Sequence, residues 1–194
     1  MSKNVLVDID DVLAPTQEKI LAYINRRARK PLMLSDITGD FLNNKPHEYD
    51  LLRKEFFSTP KLVIDIPLYP HVKMSLQKLK RNGCDIHIAS SRKEYLRPTI
   101  EKWLQKKSLL SLISKIHYRQ KELRGDDFKA NIARLCRMKA AFEDRADIVE
   151  AIASTKTRVY VIDKPWNRKI SLNKHITRAA DFTAAVDHFL TKRT

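Results

Sequence analysis

The stretch Asn4-Val5-Leu6-Val7-Asp8-Ile9-Asp10-Asp11-Val12-Leu13 decides the fold. Val5, Leu6 and Val7 are apolar without alternation, the pattern of a strand buried on both faces. Three carboxylates follow within four residues. Working outward, short apolar runs return at 85–89 (DIHIA), 115–118, 140–142 and 158–162 (RVYVI), each predicted as a strand. Amphipathic stretches separate them. Val72, Leu76 and Leu79 stripe a helix stopped by Asn82-Gly83. A helix over 98–107 has Pro98 in its first turn and turns Ile100, Trp103 and Leu104 inward. A third covers 126–138, and Asp181 caps a last one ending at Leu190. Strands alternating with helices predict an α/β fold, a parallel sheet flanked by helices on both faces. Residues 14–72 break this rhythm. They carry helical spacing over 17–29 and 49–57, with no strand alternation, and read as an insertion after the first strand.

At 194 residues and 43% hydrophobic, the chain can bury a core, which excludes wholesale disorder. No apolar run approaches the roughly 20 residues that span a bilayer. Charges inside the first apolar stretch exclude a signal peptide, so a cytoplasmic location without membrane contact is expected. Cys84 and Cys136 lack metal-type spacing and are expected as packed free thiols. The net charge is +15, and residues 73–139 supply +12 of it. Such a face attracts phosphate-bearing partners, and charge alone does not separate a nucleotide from a nucleic acid.

Ligands of open parallel sheets bind beyond the carboxyl ends of the strands. The first strand runs into Asp8, Asp10 and Asp11, the second into Ser90-Ser91-Arg92 and the fourth into Glu143-Asp144. Acidic groups gathered there repel one another unless a hard divalent cation with oxygen ligands neutralises them. Lys129 lies in the first turn of a helix, where a cation opposes the helix dipole; either a phosphate or the acidic cluster holds it there, or it is a solvated lysine.

These residues carry a resemblance to the haloacid dehalogenase superfamily of phosphotransferases. Its first motif, D-x-D-x-x-[LV], matches Asp8 to Leu13. Its second matches Ser90, its third Lys129 and its fourth Glu143-Asp144, in the family's order. Within that superfamily the chain resembles the 5'(3')-deoxyribonucleotidase branch, whose members insert a helical cap after the first motif. The paired Ser90-Ser91 and the segment Val161-Ile162-Asp163-Lys164-Pro165-Trp166-Asn167-Arg168 resemble that branch. Arg92 departs from it, standing where these nucleotidases often have Pro.

The resemblance implies a Rossmann-like core over 1–13 and 73–194 with a small helical cap over 14–72. It implies a Mg²⁺-dependent phosphomonoester hydrolase working through an aspartyl-phosphate. Asp8 would be the nucleophile and Asp10 the acid and base, its pKa raised by crowding. Asp8, Asp10 (through its carbonyl) and Asp144 would hold Mg²⁺, with Glu143 on a metal water. Ser90, Ser91 and Lys129 would hold the phosphate. The expected substrate is a nucleotide. The alternatives are a polynucleotide end tracked by the 73–139 surface, and another small phosphorylated metabolite. A receiver-type phospho-acceptor fits poorly, since no further Asp ends a central strand. Most cap aromatics (Tyr23, Phe41, Tyr49, Phe56, Phe57, Tyr69) are expected to build the cap's own core. His87 is expected as a packed core histidine, and no partner is identified for His117.

Overall fold

A computed structural model describes residues 3–28, 31–119 and 123–192. Six parallel strands form one sheet in the order β3-β2-β1-β4-β5-β6. They are β1 (Lys3–Val7), β2 (Cys84–Lys93), β3 (Lys115–Arg119), β4 (Ala140–Glu143), β5 (Arg158–Ile162) and β6 (Ile176–Ala179). Helices α1 (Thr16–Asn25), α2 (Gly39–Asn43), α3 (His47–Ser58) and α4 (Pro60–Ile64) lie between β1 and β2 in sequence, before α5 (Val72–Arg81). The rest are α6 (Arg97–Lys106), α7 (Gly125–Leu135), α8 (Ala146–Ser154) and α9 (Phe182–Thr191).

The period of two in β1 sorts the core. Val5 and Val7 face one cluster with Leu76 and Leu79 of α5, Trp103 of α6 and Phe189 of α9. Leu6 faces the other, with Phe128 and Ile132 of α7 and Ile148 and Ile152 of α8. Burying such side chains contributes about 1.5–3 kcal/mol each. It explains why the central strands are apolar without alternation. Asp181 caps α9 by accepting from the Ala184 amide at 2.8 Å.

Between β1 and β2 the aromatics pack largely on each other. Tyr23 meets Phe56 edge-on at 5.7 Å, Phe56 meets Phe57 at 5.6 Å and Phe41 meets Tyr49 at 5.0 Å. Trp103 of α6 donates Nε1–H to the Ile66 carbonyl at 2.9 Å, tying the end of this helical segment to the sheet's flank.

Four points of the sequence reading need correction. Ser90, Ser91 and Arg92 lie inside β2, not beyond it. Pairing with β3 continues at Ser90↔Tyr118 and resumes at Lys93↔Arg119 after a register shift, so the bulged strand carries them over the sheet end. Helix α7 stops at Leu135 because Arg137 turns left-handed (φ 49°), leaving Met138 packed beyond the helix. Strand β6 has no counterpart in the sequence reading. It is a short edge strand, and its Thr177 and Arg178 hide the apolar pattern. The expected helix over 17–29 ends at Asn25, and its predicted last residue, Arg29, lies outside the described residues. Among the described residues, no helix is long and apolar enough to cross a membrane.

Candidate active site

Strand β1 ends at the sheet's centre, between β2 and β4, and delivers Asp8 there. The Asp8 amide donates to the Phe142 carbonyl of β4 at 3.1 Å, fixing the turn that follows. That turn is tight: Leu13 N–H reaches the Ile9 carbonyl at 3.0 Å and Asp11 sits at φ 58°. The left-handed Asp11 folds its carboxylate back onto the Gln17 amide at 3.1 Å, at the start of α1.

The side chains of Asp8 and Glu143 close on one cation from two strands. Lys129 Nζ lies 2.6 Å from Asp8 Oδ1 and 2.6 Å from Glu143 Oε2, and is only 1% exposed. Burial would lower the Lys129 pKa, but the two carboxylates outweigh it and the ammonium is held charged. This answers what holds a lysine at the start of α7: the acidic cluster does. Glu143 Oε1 accepts from the Asp144 and Arg145 amides at 3.2 Å, so Glu143 is fully engaged in structure. Asp144 Oδ2 accepts from Trp166 Nε1 at 2.7 Å, and Asn167 Nδ2 ties the Asp144 carbonyl (2.6 Å) to that of Ile162 (2.7 Å).

Above these groups opens a cavity of about 470 Å³. Asp8, Asp10, Asp11, Ser91 and Asp144 reach its wall, while Ser90 and Lys129 do not. The Ser90 hydroxyl instead accepts from the Arg92 amide at 3.2 Å and shapes the β2 bulge. Arg92 is the residue the sequence reading noted only as a departure. It grips Asp10 with two nitrogens, Nε at 3.1 Å from Oδ2 and Nη2 at 2.5 Å from Oδ1, while Thr16 donates to Oδ1 at 2.6 Å. Burial pushes the Asp10 pKa up, but Arg92 and Thr16 outweigh it and hold the pKa below its ordinary value. Crowding therefore does not keep Asp10 protonated, contrary to the sequence expectation.

Burial does raise Asp8, Asp11 and Asp144. Asp8 rises to about 7, with Glu143 and Asp10 adding repulsion against the pull of Lys129. Asp11 rises to about 8 and Asp144 well above its ordinary range, both chiefly by burial. Two buried donors on the cavity wall, Ser91 Oγ and Arg92 Nη1, have no hydrogen-bond partner among the described residues. Gly125 opens α7 against Ser91, and a Cβ there would meet Ser91 Oγ at 3.0 Å. The rim is cationic, with Lys45, Arg53 and Lys54 from the β1–β2 segment and Arg119 and Arg145 from the strand ends. Phe57, Trp166 and the 65%-exposed Tyr95 are the aromatic members of the cavity lining.

The family model described as "5' nucleotidase, deoxy (Pyrimidine), cytosolic type C protein" matches residues 2–193. The chain belongs to that family. A protein of Staphylococcus aureus, provisionally named a 5'(3')-deoxyribonucleotidase, is 28% identical over 89 residues, covering 46% of this chain and 49% of the relative. The chain thus spans about half the length of the curated relatives it matches. The fold is that of a haloacid dehalogenase-like hydrolase from Streptococcus pneumoniae, with TM-score 0.64 and 11% identity over 97% of this chain and 98% of that one. It is also that of the D,D-heptose 1,7-bisphosphate phosphatase from B. bronchiseptica, solved with magnesium and phosphate. There the TM-score is 0.59, with 13% identity over 98% and 99% of the two chains.

Proposed function

We propose that the chain is a phosphomonoester hydrolase of nucleotides, with Asp8 as nucleophile. The observation that carries this is the pairing of Asp8 with two unpartnered donors on one cavity wall. Asp8 is held from below by Lys129, and Ser91 Oγ and Arg92 Nη1 are buried donors lacking an acceptor among the described residues. A phosphate oxygen supplies that acceptor and offsets the cost of leaving such groups unpaired, about 1–3 kcal/mol each.

In this reading Asp8 attacks phosphorus and forms an aspartyl-phosphate, splitting one high barrier into two lower ones. Lys129 is a positioning residue that aims the Asp8 carboxylate and opposes the rise that burial gives its pKa. Asp10 protonates the leaving oxygen and later takes a proton from water. Arg92 links the two roles. A bound phosphate competes with Asp10 for the guanidinium, and weakening the Arg92 contact removes the largest influence holding the Asp10 pKa down, so that burial counts for more. Ser91 and Arg92, rather than Ser90 and Lys129, touch the phosphate.

The donor set fits a hard cation. Oxygens of Asp8, Glu143 and Asp144 lie within 4.8 Å of one another, and burial and neighbouring charge raise the Asp8 and Asp144 pKa values, a cost that a cation relieves. Asp8, Asp144 and the Asp10 carbonyl would hold Mg²⁺, with Glu143 reserved by Lys129. When bound, Mg²⁺ would neutralise charge between the nucleophile and the phosphate.

Residues 14–72 would act as a cap over a core of 1–13 and 73–194, setting specificity through Phe57 and the rim cations. The family description and the relative's name support a nucleotide, and neither names nucleic acid. Part of the 73–139 charge is spoken for: Lys129 is buried, Arg97 pairs with Glu101 and Lys106 with Asp65. A hydrolysis panel with Mg²⁺ tests the reading. Deoxyribonucleoside monophosphates should exceed sugar phosphates and a 3'-phosphorylated oligonucleotide in kcat/KM. A reversed ranking overturns the nucleotide assignment.

A further inference from the structure

We propose that His87, His117 and Cys136 form a second metal site, for a borderline-soft divalent cation of the zinc class, apart from the carboxylate cavity. The sheet register brings the histidines together. His87 of β2 pairs with Lys115, and Ala89 pairs with His117 of β3, so the two imidazoles sit diagonally on one face. Their rings stack at 5.1 Å and 26°, with His87 Nδ1 2.9 Å from His117 Nε2. Helix α7 covers this face of the sheet, and Cys136 follows it as the C-cap. One ligand atom from each of the three residues lies within 4.8 Å of the other two.

Tetrahedral zinc, with nitrogens at about 2.0–2.1 Å and sulfur at about 2.3 Å, sets its ligand atoms about 3.3–3.8 Å apart. The cluster therefore needs to contract by roughly 1 Å at its widest, within reach of side-chain rotation. Two imidazoles and a thiol are the wrong donors for Mg²⁺ and the right ones for zinc or cobalt. A neutral imidazole offers one ring-nitrogen lone pair and a thiolate its sulfur, so metal binding here would release protons. Lys115 opposes a cation here and Asp85 favours one; both act on His87. His117 and Cys136 are only half-buried, which leaves an entry path and a fourth position for water.

The site would tie together β2, β3 and the end of α7, which also carry residues of the active site. β2 carries Ser91 and Arg92, β3 carries Arg119 and α7 carries Lys129. Metal binding would then stabilise the fold by mass action.

Cobalt(II), titrated into the full chain in excess Mg²⁺, is the test. One equivalent should give tetrahedral visible bands and a thiolate-to-cobalt charge-transfer band, both displaced by Zn²⁺. Cys136→Ser should abolish the thiolate band, and His117→Gln should weaken cobalt binding at least tenfold. Zn²⁺, and not Mg²⁺, should slow alkylation of Cys136 in the unaltered chain and raise its melting temperature. A folded wild-type chain with no thiolate band overturns the proposal. So does a band that survives Cys136→Ser, an unchanged affinity in His117→Gln, or alkylation indifferent to Zn²⁺.

Discussion

Arg92 holds Asp10 by two nitrogens, 2.5 and 3.1 Å from its carboxylate oxygens, and keeps a third nitrogen unpartnered at the cavity wall. One side chain thus restrains the proposed acid-base residue and reaches toward the phosphate. Arg92→Lys keeps the charge but loses the planar fork. It should raise KM for a phosphate monoester and lower kcat by about 10- to 100-fold, since one charge-assisted contact and the control of Asp10 both go. Steady-state kinetics on p-nitrophenyl phosphate checks this. A Lys variant with both constants unchanged removes Arg92 from the mechanism.

Lys129 answers to two buried carboxylates, and removing it strands both. Lys129→Met should destabilise the fold by about 3–5 kcal/mol, the cost of breaking a buried ion pair from one side. Denaturant unfolding measures it. Glu143→Gln should cost less, because the amide oxygen still accepts the Asp144 and Arg145 amides. Losses below about 1 kcal/mol in Lys129→Met would mean that water, not Lys129, balances this charge.

The site was legible in part, and the reasons are physical. Asp8, Asp10 and Asp144 stand where a parallel sheet ends its strands, so an apolar run followed by a carboxylate locates them. Lys129 was marked as anomalous by the helix dipole, but which anion held it depended on two strands far apart in sequence. Ser90 and Arg92 were misplaced because β2 runs on past Ala89: Ser90 still pairs with Tyr118 of β3, and the register shift that follows it brings Arg92 to Asp10, pairing properties that the sequence does not display. Strand β6 escaped because an edge strand needs no apolar alternation on its open side. Asp11 reads as one more acid in a run, and only its left-handed backbone turns it onto Gln17.

Tyr95 stands at the cavity mouth, 65% exposed, outside the 14–72 segment. A nucleotide base stacking there gains about 1–3 kcal/mol. Tyr95→Ala should therefore lower kcat/KM for a deoxyribonucleotide by about 5- to 150-fold and leave p-nitrophenyl phosphate nearly untouched. Equal losses on both substrates would assign Tyr95 to packing.

Asp144 bears on the cation. Asp144→Ala should weaken Mg²⁺ activation, and added Mg²⁺ should recover only part of the rate. Chelation of the unaltered enzyme should abolish turnover reversibly. Isothermal titration with Mg²⁺ gives the affinity independently of rate. Wild-type affinity in Asp144→Ala would place the cation elsewhere.

The covalent role of Asp8 is the central claim, and turnover of Asp8→Asn tests it most directly. The Asn side chain is nearly isosteric and keeps an oxygen for Lys129, so circular dichroism should match the unaltered chain. With Mg²⁺ and a deoxyribonucleoside monophosphate, kcat should fall by about 10³-fold or more, because an amide cannot form the acyl-phosphate. A folded Asp8→Asn enzyme that keeps more than about a tenth of the wild-type kcat contradicts the mechanism.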